Sequence, residues 1–262
     1  MNNSLSATKP CIFISGGAAG IGRATARLFA QRGWFVGIGD IDDKNMAALQ
    51  AELGPDVLMT QRLDVTDADN WSRVLEAFCA RTGKLDVLVN NAGIMLTGPL
   101  EQTPLARHNK QLDINIRGVL NGCHTAHPYL AKTPNACVIN LASSAAFYGQ
   151  ASLATYSASK FFVKGLTEAL NIEWQDQDIR VRDIMPLFVQ TGMVQGADAP
   201  SLRRLGVKLE PEDVAKVIWR ASQHPGCGKV HWPVGFQANY LYKTAGFTPD
   251  WINRAVARWI AV

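Results

Sequence analysis

Apolar and polar positions follow two alternating rhythms along the chain. Short β-rich runs recur at Cys11–Ser15, Trp34–Gly39, Val57–Leu63, Leu85–Val89, Ala136–Leu141, Asp178–Met185 and Gly228–Trp232. Between them lie longer stretches with apolar residues at helical spacing: Arg23–Arg32, Asp43–Leu53, the segment up to Thr82, most of Pro99–Leu130, the segment through Phe161, Phe162, Leu166, Ala169 and Leu170, and a helix opened by Glu210. The punctuation agrees. Gly33, Gly54-Pro55 and Gly83 stop helices, while Asp42 and either Thr66 or Asp67 stand where a cap belongs. A strand–helix alternation at this rhythm predicts an α/β fold, a doubly wound parallel sheet with right-handed crossovers and helices on both faces. Residues 187–209 break the rhythm with Gly192, Gly196, Pro200 and Gly206, which predicts an irregular loop over a substrate. From Val234 the tail is aromatic, with Phe236, Tyr240, Tyr242, Phe247, Trp251 and Trp259.

Composition narrows the class without changing the picture. The chain has 262 residues, 47% hydrophobic and 18% charged, with a net charge of +4 and no long basic run. One domain over residues 1–262 is expected, and no nucleic-acid partner. Five scattered cysteines without a CxxC pair point to reduced thiols rather than a disulfide framework or a zinc site, so no metal is expected. The first residues lack the regions of a secretory leader, and no apolar run reaches the roughly 18 residues of a membrane span. The expectation is a cytoplasmic protein.

Candidate chemistry sits where the strands end. Ser15-Gly16-Gly17-Ala18-Ala19-Gly20-Ile21-Gly22 lies between the first strand and the first helix, the context that a phosphate-binding turn requires. Asp40 ends the second strand eighteen residues after Gly22, where an acid that binds the adenosine ribose is expected. Its charge repels a 2′-phosphate, and Ile41 and Ala19 are not basic, so the pattern favours NAD over NADP. Asp64 and Val65 follow the third strand, and Asn90-Asn91-Ala92-Gly93 the fourth, where small residues suit close approach to a flat ligand. Asn115 occupies a helix interior, a mediocre position for asparagine that suggests a task. Tyr156 and Lys160, four apart, share one helical face, and Ser143 stands at a strand end. Taken alone, the pair reads better as a packed aromatic, Tyr156, and a solvated helix charge, Lys160. His124 and His127 read as helix-surface or interface residues, since no acidic partner motif accompanies them.

In this arrangement the chain resembles the short-chain dehydrogenase/reductase family over nearly its whole length. Ser15–Gly22 is similar to the family's TGxxxGIG turn, Asn90–Gly93 to its NNAG, and Tyr156-Ser-Ala-Ser-Lys160 to its YxxxK, with Ser143 thirteen residues before the tyrosine and Asn115 in its helix-four position. The resemblance implies a Rossmann-type sheet of about seven strands and a homodimer or homotetramer. It implies NAD held by Gly16, Gly20, Ile21, Gly22, Asp40, Asp64, Val65, Asn91, Ala92, Gly93, Tyr156, Lys160, Pro186, Val189 and Thr191. The family's Pro-Gly after strand six is Pro186-Leu187 here.

The resemblance implies hydride transfer between an alcohol carbon and the nicotinamide. Tyr156 would be the general acid/base, its phenol pKa lowered by Lys160 and the nicotinamide charge. Ser143, preferred to Ser144 on spacing, would bind the substrate oxygen, and Asn115 would hold a water linking Lys160 to solvent. Candidate pocket walls are Ile94, Met95, Leu96, Ala145, Phe147, Tyr148, Leu153, Leu187, Phe188, Met193 and Trp232. None is a cation, which favours a small-molecule substrate that is a bulky apolar secondary alcohol or ketone, such as a hydroxysteroid or aryl alcohol. The alternatives are a 3-oxoacyl reductase and a non-catalytic NAD-binding regulator. The tail is expected to cover the cleft or a subunit interface rather than a membrane.

Overall fold

Seven strands form from the apolar runs: β1 (Cys11–Ser15), β2 (Phe35–Asp40), β3 (Leu58–Arg62), β4 (Val87–Asn90), β5 (Ala136–Leu141), β6 (Ile179–Pro186) and β7 (His231–Val234). The computed structural model describes residues 9–261 except 196, 198 and 246. The expectation of a leaderless N-terminus rests on residues 1–8, and Gly196 belongs to the predicted loop; both lie outside the described residues. All strand pairs are parallel, in the order β3-β2-β1-β4-β5-β6-β7. The order reverses between β1 and β4, so the carboxyl ends of these two strands open a crevice.

Helices α1 (Gly20–Gln31), α2 (Asp43–Leu53) and α3 (Ala68–Thr82) follow the first three strands. Asp42 and Asp67 are the caps of α2 and α3, each accepting from the N–H three residues on. The predicted helical stretch up to Leu130 is α4 (Leu105–Leu112) and α5 (Gly118–Leu130), joined without a break by one π turn over Asp113–Arg117. Asn115 is the middle residue of that turn, and such turns frequently mark functional sites. Next come α6 (Ala154–Glu173), α7 (Pro200–Leu205), α8 (Pro211–Gln223), α9 (Gly235–Ala245) and α10 (Asp250–Ala261).

The sheet is buried on both faces, which is why its central strands read as unbroken apolar runs. Phe13, Trp71, Phe78, Val119 and Val163 fill one face under α3, α5 and α6. Phe29, Val36, Leu49, Val214 and Ile218 fill the other under α1, α2 and α8. Close packing leaves no room for side chains at some positions. A Cβ on Gly37 of β2 would lie 2.5 Å from Phe78 and 2.6 Å from Phe13.

Two expectations are corrected. The loop 187–209 is not wholly irregular: it contains α7, whose first residue is Pro200, and Val189 bridges to Leu209. The last strand is His231–Val234 rather than Gly228–Trp232. The strand runs on through Pro233 because β7 is the sheet's edge, where a missing N–H breaks no ladder. The tail forms α9 and α10. Among the described residues, no helix is long and apolar enough to cross a membrane.

Gly37→Val is expected to lower unfolding free energy by about 1–3 kcal/mol through overpacking against Phe13 and Phe78. Urea denaturation with an unchanged slope but a lower midpoint checks this.

Candidate active site

The crevice at the strand ends is a cleft of about 800 Å³. Its floor begins at the β1–α1 turn, where Gly16 and Gly20 have φ of +67° and +50°. Here glycine is required twice over: a Cβ on Gly16 would stand 2.8 Å from Ala92 Cα, and one on Gly20 3.0 Å from Thr191 Cγ2. Gly16, Gly20 and Ile21 line the cleft, whereas Gly22 does not; a Cβ there would collide with the Gly16 carbonyl. Gly22 thus lets the turn fold onto α1 and contributes no cleft surface.

The adjoining turn after β4 is locked to this one. Asn91 Nδ2 donates to the carbonyls of Ser15 (3.1 Å) and Gly16 (2.8 Å), and Ser15 Oγ accepts from the N–H groups of Asn91 (3.1 Å) and Ala92 (3.3 Å). Asn91, Ala92 and Gly93 form the next part of the cleft wall. Asp40, Asp64 and Val65 line its far end. Asp40 Oδ2 accepts from Ala18 N–H (2.9 Å) and Oδ1 from Asp42 N–H (3.1 Å), which fixes the carboxylate between the glycine turn and the end of β2.

A dinucleotide fits these residues. The α1 N-cap is Ala19, no side chain caps the helix, and its first turn has no acid. Its free N–H groups and the positive end of its dipole are therefore left for an anion. Asp40 with exposed Ile41 and Ala19 beside it suits ribose hydroxyls, and the small Gly16 and Ala92 leave room for flat rings.

The opposite wall carries the ionisable groups. Tyr156 and Lys160 lie on the buried stripe of α6, continued by Val163 and Thr167. Lys160 Nζ donates to Leu141 O (2.6 Å) and lies 5.6 Å from the centre of the Tyr156 ring. Burial lowers Lys160 from its ordinary value to about 8. Burial also pushes the Tyr156 phenol up, a hydrogen bond with Ser143 opposing it. Within the protein alone burial is the larger influence on the phenol, and it acts against the lowering expected from Lys160 and the nicotinamide together. Ser143 Oγ accepts from Ala145 N–H (3.2 Å) and donates to Pro186 O (3.4 Å), so the serine is aimed by the turn it caps. Ser144 also reaches the cleft, but Ser143 meets the phenol.

Asn115 lies behind this wall rather than in it. Its Oδ1 accepts from Ile94 N–H (2.9 Å), and its Nδ2 donates to Ile94 O (2.9 Å) and Ser159 Oγ (3.1 Å). The side chain ties the segment after Gly93 to α6. Pro186, Val189 and Thr191 reach the cleft from the end of β6, with Thr191 Oγ1 donating to Val189 O (3.4 Å).

The predicted pocket walls divide. Ile94, Met95, Ala145, Leu187, Phe188 and Met193 line the cleft. Leu96, Phe147, Tyr148, Leu153 and Trp232 do not. Phe147 turns toward Tyr242, Leu153 is buried beneath Ala145 and Tyr156, and Trp232 faces the α8 side, its ring over His224. Sequence reasoning missed Gln150, whose Oε1 is buried without a partner beside the cleft, and Lys110, a cation at the rim. Lys110 and Ile114 are four apart on the face leading to the π turn, a spacing that could have revealed them; a single loop glutamine carries no such signal. His127, as predicted, packs at the surface, 2.8 Å from Gln177 and against Trp174. Among the described residues, no group of three or more His, Cys, Asp or Glu could hold a metal ion.

Comparison with known proteins gives a consistent result. The family model for short chain dehydrogenase matches residues 10–201. The chain is 37% identical over 218 residues to the 3-oxoacyl-[acyl-carrier-protein] reductase FabG of Thermotoga maritima, covering 80% of this chain and 88% of that one. It is 33% identical over 206 residues to the 3-alpha-(or 20-beta)-hydroxysteroid dehydrogenase of Mycobacterium tuberculosis, covering 78% and 79%. A solved 3-ketoacyl-(acyl-carrier-protein) reductase from Brucella melitensis complexed with NADH superposes with a TM-score of 0.80 at 27% identity, over 87% of this chain and 98% of that one.

Lys160, with a folded value near 8 against about 10.4 unfolded, sheds its proton more readily when the chain is folded. Between those values the unfolded chain holds more protons, so this group makes stability rise with pH. At pH 7 the buried ammonium costs on the order of 3 kcal/mol. Lys160→Met is therefore expected to melt above the wild type at neutral pH, with the gap closing toward pH 10; thermal melts across that range check it.

Proposed function

Since the chain belongs to the short-chain dehydrogenase/reductase family, we propose that it is an NAD-dependent oxidoreductase interconverting a bulky apolar secondary alcohol and its ketone. The observation that carries this is the convergence of the Ser143 hydroxyl, the Tyr156 phenol and Lys160 on one wall of a cleft whose far end holds Asp40.

The glycine turn and the α1 N-terminus would hold the pyrophosphate, Asp40 the adenosine ribose, and Lys160 the nicotinamide ribose. Bound there, the oxidised nicotinamide would supply the hydride acceptor and a positive charge. Ser143 donates to the substrate oxygen and stabilises alkoxide character on it. Tyr156 takes the hydroxyl proton in oxidation and returns it in reduction. The neighbouring Lys160 ammonium favours phenolate, and burial makes that charge effective once water is excluded. Asn115 is a positioning residue: it holds Ile94 against Ser159, three residues from Tyr156 on α6.

Substrate class follows from the wall. Met95, Leu187, Phe188 and Met193 surround the reacting end with apolar surface, and Leu187 narrows it where the family commonly has glycine. The 33% identity to a hydroxysteroid dehydrogenase supports a ring-bearing alcohol. A second reading, 3-oxoacyl reduction, is supported by the 37% identity to FabG and by Lys110, a rim cation for an anionic carrier. Exposed Leu105, Leu120 and Phe161 on α4–α6 support association with a second copy.

Tyr156→Phe is expected to lower kcat for a cyclic secondary alcohol by about a hundredfold or more while leaving NAD affinity within about twofold. Near-wild-type turnover would defeat the assignment, and a 3-oxoacyl thioester turning over faster than every cyclic ketone of a panel would select the second reading. Asp40→Ala is expected to shift the NAD over NADP ratio of kcat/KM by about tenfold toward NADP. An unchanged ratio would remove Asp40 as the selector.

A further inference from the structure

A second cluster of ionisable side chains lies outside the cleft. His231, the first residue of β7, sets Nδ1 2.9 Å from Asp183 Oδ2 on β6 and Nε2 3.0 Å from Glu168 Oε1 on α6. A neutral imidazole has one N–H, so both contacts are hydrogen bonds only while the cluster holds one further proton, on the ring or on Asp183, whose carboxyl is itself raised by burial. Lys164 also faces the cluster from α6, 3.5 Å from Glu168, and Tyr242 faces it from α9. On the other face of β7, α8 presents apolar Val214 and Ile218 to Trp232. Burial alone would lower His231, but the hydrogen bond to Asp183 and the charges of Asp183 and Glu168 outweigh it and raise it.

The cluster is joined to the catalytic wall through aromatic rings. Tyr242 packs against His231 (centroids 5.7 Å, 57°) and against Phe147 (5.6 Å, 50°). Phe147 closes the turn Ser144–Ala146 that Ser143 caps, its N–H donating to Ser144 O. The row from Asp183 and Glu168 through His231, Tyr242 and Phe147 therefore ends on the backbone that aims Ser143. Tyr242 is the only member of this row contributed by the aromatic tail.

We propose that α9 is a strap that positions the Ser143 turn through Tyr242, latched to β6 and α6 by His231 while its cluster holds the further proton. The proposal rests on the role assigned to Ser143 above. Tyr242 touches neither substrate nor cofactor; it acts through Phe147. Loss of that proton removes one of the two carboxylate bonds and leaves Asp183 and Glu168 facing an uncharged ring, so the latch loosens on the alkaline side. The sign is that of a group raised by folding: its contribution is complete below the ordinary histidine value and is lost as pH rises through the raised one.

The test uses the full chain with Tyr242→Ala, Tyr242→Phe, His231→Gln and Ser143→Ala. Hydrogen–deuterium exchange over residues 144–148 reads the turn without needing turnover. In Tyr242→Ala, exchange there is expected to rise by about tenfold and kcat to fall by about tenfold, the order expected when a reacting group is misplaced by a fraction of an ångström. NAD affinity stays within about twofold. Tyr242→Phe, which keeps the ring, restores both to within about twofold. The ratio of wild-type to His231→Gln exchange protection at the turn is large at low pH and falls toward one as the histidine titrates. Unchanged exchange in Tyr242→Ala, equal damage in Tyr242→Phe, or a pH-independent ratio would each overturn the strap. If Tyr242→Ala does not fold, the pH dependence of the ratio and Tyr242→Phe decide the matter. A failure of the functional reading shows separately, as normal turnover by Ser143→Ala with the exchange results intact.

Discussion

The amide of Asn91 reaches back to the carbonyls of Ser15 and Gly16, and the geometry of the cleft hangs on that contact. It joins the two strand ends at which the sheet reverses its order. In an open parallel sheet these ends diverge into a crevice, and a crevice binds only if its two lips keep a fixed separation. Asn91 and the Ser15 hydroxyl supply four hydrogen bonds across the gap. The close approach this enforces leaves no space for a Cβ on Gly16, and it points the uncapped N-terminus of α1 into the cleft. The uncapped N–H groups of that helix are thereby left beside the space between the lips.

The opposite wall is held by a second set of buried polar contacts. Asn90 donates to Asn140 across β4 and β5 (2.9 Å), and Asn140 to Thr167 on α6 (2.9 Å). Asn115 joins Ile94 to Ser159, and Lys160 itself bonds the end of β5. In a low-dielectric interior such groups must be satisfied together, so they fix the rotation of α6 to one setting. That setting brings Tyr156 to Ser143. The burial that makes these bonds strong also drives the phenol up and Lys160 down to about 8. Burial thus shifts both groups of the pair toward their neutral forms, though Lys160 stays cationic at neutral pH, and a cationic ring beside them would shift the phenol back toward phenolate.

Much of this was legible in the chain. Continuous apolar runs mark strands that are covered on both faces, and Asp42 and Asp67 mark helix starts because a short acceptor side chain satisfies an orphan N–H locally. The Tyr156–Lys160 pair was legible as a shared face because helical spacing alone sets it. Asn115 was legible only as an anomaly, an asparagine inside a helix. Its side-chain partners Ile94 and Ser159 are far away in sequence, so the contact by which it joins two segments could not be read.

What the sequence by itself determined is therefore the set of local decisions: where strands and helices run, which glycines bend the turns, and which side chains sit at strand ends. These depend on interactions within a few residues. Only the tertiary structure decided which of those side chains share a cavity. Gly22 serves packing rather than the cleft, Phe147 and Trp232 turn away from it, and Gln150 and Lys110 enter it. Pro233 is tolerated because β7 happens to be an edge, and the tail folds back because His231, Tyr242 and Phe147 meet. A side chain's neighbours across the fold depend on strand order and helix rotation. These are set by the sum of many distant contacts, and no local pattern encodes that sum.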